Sequence, residues 1–205
     1  MTATTEVCNF GAFFDNETRM IIQVRNTWKA VCFNLYNVTK VRWFLSDIQT
    51  KSAIHAYVAS KLDRNNALLS GIPSILTSQL QRVQNAAARL ITKFKKYDHV
   101  TPILTELHWL PIQDRIILKI LLLTYKSLNN LGPSYLSDLL TFYQAPLNLR
   151  SPSDPLTLDP PKTRLKQYGD RSFSVIGLKN GGLKNGMNSH RISRLQSPSR
   201  CSNQC

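Results

Sequence analysis

Cations at helical spacing are the residues of this chain with the clearest chemical potential. Arg82, Arg89 and Lys93 fall on one face of a 3.6-residue repeat and lead into Lys95 and Lys96, and Arg25, Lys29, Lys40 and Arg42 punctuate a second periodic stretch. Rows of this kind track phosphates through charge, without reading bases. A solvated helix face has the same spacing, so the pattern by itself leaves both readings open.

Other chemistry finds little to work with. His55, His99, His108 and His190 are scattered among unrelated stretches, and no serine or cysteine stands in a nucleophile motif. Cys201-x-x-x-Cys205 with His190 lacks a fourth zinc ligand at ordinary spacing. No two acidic residues are adjacent, so a paired-aspartate metal site is missing, and no glycine-rich phosphate loop follows a strand. An independent enzyme is not expected, and neither is a cofactor.

Composition agrees with an electrostatic role. The 205 residues carry 26 Lys+Arg against 12 Asp+Glu, a formal net charge of +14, with 42% hydrophobic residues. That is a globular and strongly basic chain, suited to phosphate-bearing partners. Its four cysteines show no framework spacing, and the N-terminus has neither a basic nor an apolar leader region, which fits an intracellular protein of the nucleus or cytoplasm.

The elements that must position the cations read as helices. The stretch at 101–128 organises the rest: its second half, 112–128, is apolar on almost every side and is expected to be wrapped by neighbouring helices. Asp114, Arg115, Lys119 and Lys126 interrupt it too often for a membrane span. Leu110-Pro111 marks its start, and Asn129-Asn130 with Gly132-Pro133 its stop. Trp109 and His108 lie at the corner before it, where a tryptophan anchors packing.

Taken in order, FGAFF at 10–14 predicts a short strand without an obvious partner. Residues 17–45 predict one long helix or two, with Ile21, Val24, Trp28, Val31 and Leu35 on the apolar side. Ser46 and Gln49 form a capping box for a helix whose stripe is Ile54, Tyr57, Val58 and Leu62. Residues 63–71 predict a short polar connection. Pro73-Ser74 opens a helix with a seam of Leu76, Leu80, Val83, Ala87 and Leu90, and Thr101 caps a short helix at Pro102. Residues 134–140 predict one more. Beyond 145 five prolines predict an extended or loop-like course, and the tail from 177 reads as disordered. From residue 150 onward ten Lys/Arg face three Asp/Glu, a net of +7.

Several longer strings occur in a fixed order: Leu62-Asp63, NALLSGIP at 66–73, LQRVQNAAARLIT at 80–92, YDHVTP at 97–102, LHWLPIQDRIILKILLLTYKSL at 107–128, PSYL at 133–136, KTRL at 162–165 and GDRSF at 169–173. This series resembles the region downstream of the polymerase palm in reverse transcriptases of LINE-type, jockey-like non-LTR retrotransposons, over residues 9–176. The resemblance implies a mainly α fold, an irregular helical bundle. Its parts would be a remnant strand at 1–15, thumb-like helices at 16–62 and a C-terminal helical segment at 63–145. A proline-rich basic segment at 146–176 and a disordered tail at 177–205 would follow.

The parent enzyme is an RNA-directed DNA polymerase whose palm aspartates hold two Mg2+ ions. This chain has no such Asp-Asp turn, so the resemblance implies a non-catalytic piece of a transposable element. Its phosphate-binding residues would be Arg25, Lys29, Lys40, Arg42, Arg82, Arg89, Lys93, Lys95 and Lys96. Its partners would be RNA, DNA or an RNA–DNA hybrid, and the palm, with no membrane. The family usually continues with Trp-Asn-x-Leu-Pro, where this chain repeats GLKNG at 177–181 and 182–186. A neighbouring reading frame across 184–190 can encode that motif, which implies a frameshifted tail. The alternative is an all-helical protein-interaction module, domesticated or aggregation-prone, with no nucleic-acid role.

Overall fold

The fold begins with a tight hairpin. In a computed structural model, which describes residues 6–15, 17–95, 98–141 and 161–181, β1 (Glu6–Asn9) pairs antiparallel with β2 (Ala12–Asp15), Val7 opposite Phe14. Phe10 and Gly11 both have positive φ, 48° and 76°, as a two-residue hairpin turn of matching twist demands. The strand expected at 10–14 therefore starts two residues later, and its partner is the stretch just before it. Phe10 turns the corner instead of pairing.

Helix α1 (Ile21–Val41) is one uninterrupted helix, extended by a 3-10 turn at Arg42–Phe44. Its buried residues Gln23, Val24, Val31 and Val38 include a seven-residue step, so one narrow stripe faces inward. Gln23 turns its carboxamide to the hairpin and accepts from Phe13 N at 3.0 Å. Ser46 then caps α2 (Asp47–Ile54) with both halves of the expected capping box.

From α2 the chain continues through a π-helical turn at His55–Ala59 into α3 (Ser60–Asp63). Ile54, Val58 and Leu62 are buried as the stripe predicted, but Tyr57 is exposed. The wider turn moves it out of the i, i+3, i+4 register. The connection at 63–71 is less polar in effect than in composition: Asn66–Leu69 forms a 3-10 turn with Asn66, Leu69 and Ser70 buried.

Helix α4 (Ser74–Thr92) packs against α1 and α2. Leu80, Val83 and Ala87 are buried as expected, joined by Gln84, Ala88 and Ile91. Small Ala87 and Ala88, both at 0% exposure, let neighbouring backbone come close. Next, α5 (Val100–Glu106) starts one residue before Thr101, with no side-chain cap. Its C-terminus closes in a Schellman turn, Trp109 N to Leu104 O at 2.8 Å and His108 N to Thr105 O at 3.0 Å, with His108 at φ 55°. That turn aims Trp109 inward, 7% exposed.

Trp109 lies 5.5 Å from the His55 ring, edge to face, and 5.9 Å from the Arg115 guanidinium. Two α4 carboxamides hold the segment that follows: Gln84 Nε2 donates to Leu110 O and Gln81 Oε1 accepts from Ile112 N, both at 2.8 Å. Arg115 completes the corner by donating to Leu110 O and to both oxygens of Asp63.

Helix α6 (Ile112–Leu128) starts after Pro111 as the sequence indicates, and ends with Asn130 at φ 55° in a second Schellman turn, Leu131 N to Lys126 O at 2.8 Å. It is not wrapped on all sides. Ile112, Ile116, Ile120, Thr124 and Ser127 form its buried stripe, while Leu118, Leu122 and Tyr125 are exposed.

The chain divides into two compact units, Met1–Lys119 and Ile120–Cys205. In the second, α7 (Ser134–Ser137) is shorter than the helix expected at 134–140, although Leu140 is still buried. Ser137 Oγ donates to Ser127 O at 2.7 Å. Two helices, α8 (Lys166–Gly169) and α9 (Phe173–Gly181), occupy part of the stretch expected to be extended and the first residues of the expected tail. Val175 and Ile176 are buried there, and a Cβ on Gly177 would stand 2.7 Å from Thr124 Oγ1. The readings for 146–160 and 182–205 lie outside the described residues. The described chain is mainly α, and no described helix is long and apolar enough to cross a membrane.

Candidate nucleic-acid interface

Helices α1 and α4 are free of carboxylates from end to end: across Ile21–Val41 and Ser74–Thr92 the only charged residues are Arg25, Lys29, Lys40, Arg82 and Arg89. Because the two helices pack together, their cations share one field with no internal neutralisation.

Between them runs an open groove of about 520 Å³, lined by Ile21, Arg25, Trp28, Cys32 and Leu35 from α1 and by Leu76, Gln79, Arg82, Val83 and Ala86 from α4. Arg25 and Arg82, 57 residues apart in sequence, are thus brought to the same groove, and both are exposed at its rim. Trp28, 41% exposed, offers an aromatic surface beside them. Burial pushes the Cys32 thiol above its ordinary value, which keeps it protonated and a poor nucleophile.

The remaining candidate cations separate by what they already hold. Lys29 and Lys40 lie exposed along α1, with Lys40 Nζ 4.5 Å above the Tyr36 ring. Arg42 is committed to the fold: its side chain is only 14% exposed and donates to Leu90 O, Leu45 O and the Asp47 carboxylate. Lys93 pairs with the same carboxylate at 3.2 Å. These two cations hold the Asp47 carboxyl below its usual range, the Arg42 hydrogen bond first.

Arg89 is half-buried and donates to Asp98 O at 3.2 Å. Asp98 also accepts from Lys95 N at 2.8 Å, so that turn fixes where the exposed Lys95 leaves the surface. Lys96 lies outside the described residues. The nine candidates therefore divide: Arg25, Lys29, Lys40, Arg82 and Lys95 are exposed and hold no carboxylate, while Arg42, Arg89 and Lys93 are tied to the protein.

The aromatic side of this surface went unread in the sequence. Phe33, Tyr36, Trp43 and Phe44 are 64%, 58%, 93% and 88% exposed on α1 and its 3-10 extension. Their spacing was a usable signal, because four- and three-residue steps from Lys29 through Phe33 and Tyr36 to Lys40 place them on one stripe. Of the apolar side expected at 17–45, Val31 is fully buried, whereas Trp28 is exposed. Among the described residues, no group of three His, Cys, Asp or Glu side chains could hold a metal ion. Comparison with protein-family models, with curated proteins and with solved structures finds no match.

Proposed function

We propose that this chain is the post-palm part of a LINE-type non-LTR reverse transcriptase, without catalytic residues of its own, and that it grips nucleic-acid phosphates without reading sequence. The ordered strings from NALLSGIP to GDRSF support the kinship. The observation that carries the binding reading is the placement of Arg25 and Arg82 on one open groove between two helices devoid of carboxylates. Each cation that meets a phosphate releases a condensed counterion, so affinity falls steeply with salt. Polymerisation belongs to the parent's palm, whose Mg2+-binding Asp-Asp turn has no counterpart in this sequence.

The test is the salt dependence of binding to duplex DNA and to an RNA–DNA hybrid. Arg25→Ala and Arg82→Ala are each expected to flatten the slope of log affinity against log salt by about 0.9 on duplex DNA. Lys61→Ala, on an exposed lysine of α3 away from the groove lining, leaves it unchanged. An unaltered slope for both arginine variants overturns the groove.

A second reading, a helical protein-interaction module, draws on one observation. Leu118, Leu122 and Tyr125 form an exposed apolar stripe on α6, 44%, 45% and 61% exposed, of a kind that seeks a partner.

A further inference from the structure

We infer that the outward stripe of α1 binds single-stranded nucleic acid by stacking unpaired bases on Phe33, Tyr36 and Trp43 while Arg25, Lys29 and Lys40 hold the backbone. This rests on the phosphate-binding reading above and adds the class of strand. The six residues follow one another at steps of four, four, three, four and three, which places them along one side of the helix and its 3-10 extension. All six are exposed.

Scattered exposed aromatics need no explanation, but three on one stripe do. A ring buries 150–250 Å² when covered, so leaving these to water forgoes a large stabilisation.

The occupant is identified by what alternates along the stripe. Across Ile21–Val41 the charged residues are Arg25, Lys29 and Lys40, with no Asp/Glu among them, so the occupant is anionic along its length. Aromatic faces set between the cations require that it also carry flat π faces between its charges. A single strand of nucleic acid has both; a duplex hides its base faces within its own stack.

The reach is sufficient. Arg25 to Lys40 spans about 22 Å at 1.5 Å per residue, room for a short run of nucleotides toward the lower end of the roughly 4–16 that single-strand sites take. Lys40 over Tyr36 is an exposed cation–π contact, weak enough for the ammonium to move to a phosphate as a base takes its place.

The experiment measures fluorescence anisotropy of the full chain, at matched low and raised salt concentrations, with a labelled 12-nucleotide oligothymidylate, with an abasic strand of the same phosphate count, and with a 12-base-pair duplex. The oligothymidylate is expected to bind about tenfold or more tightly than the abasic strand. Phe33→Leu and Tyr36→Leu are each expected to lose about tenfold on oligothymidylate alone. Equal affinity of the two single strands overturns the stacking inference, while salt-sensitive binding of both leaves the phosphate reading standing. No binding to any of the three overturns both. The comparison of strands uses the unaltered protein, so it does not depend on any variant folding.

Discussion

Arg42 and Lys29 show how differently two cations of one helix are employed. Arg42 ties the end of α1 to Leu90 O of α4, to Leu45 O and to Asp47, whereas Lys29 is exposed at the surface. Arg42→Ala leaves carbonyl acceptors without their donor and is expected to cost about 1–3 kcal/mol, read as a lower midpoint in urea. Lys29→Ala is expected to stay within about 0.5 kcal/mol of the parent and to act on binding instead. Asp47 adds a pH signature. Its carboxyl is held below the ordinary range in the folded chain, so the unfolded chain takes up protons first as the solution is acidified. Its contribution is complete above the unfolded value of about 3.9 and is lost as pH falls through the depressed folded value. Asp47→Asn is expected to remove that part of the acid dependence, and an identical stability–pH curve for the variant would exclude the linkage. Because the group is largely exposed, the effect is small.

Among the elements, the stretch from α2 through the π-helical turn to α3 sets the register of the core. Ile54 is at 0% exposure, and Asn34 of α1 donates to Tyr57 O at 2.8 Å within the turn. That bond satisfies a carbonyl of the widened turn and fixes α1 against it. Ile54→Ala is expected to destabilise by about 2–5 kcal/mol, since the side chain is fully buried and its loss leaves a cavity. A loss well under 1 kcal/mol in chemical denaturation would mean that the site relaxes freely. Ser46, Gln49, Ile54, Val58 and Leu62 are legible in the sequence because local periodicity and capping place them. The π turn is not, because an i to i+5 ladder leaves no composition signal, and Tyr57 is misplaced for that reason.

For the whole molecule, charge and exposed apolar surface compete as routes to association. The net charge of +14 disperses copies of the chain and draws anions, while Leu118, Leu122 and Tyr125 favour apolar contact. Sedimentation at rising salt separates the two. If the α6 stripe meets protein, self-association grows as salt screens the charge, and the double variant Leu118→Gln, Leu122→Gln is expected to abolish it. A chain that stays monomeric at every salt concentration removes self-association through the α6 stripe, and the salt slopes of the arginine variants decide the nucleic-acid reading.

The sequence determined the helical class, the capping box at Ser46, the bounds of α6 and the exposure of most cations, since each follows from local spacing, turn chemistry or the cost of burying a charge. It also carried the strings on which the proposed kinship rests. Tertiary structure alone decided that Arg25 and Arg82 share a groove, that Arg42 is spent on Leu90 O and Asp47, and that α6 is covered on one stripe only. Those outcomes depend on which helix faces meet across long sequence separations. An apolar residue at helical spacing can face either the core or the solvent, and only the packing partner determines which.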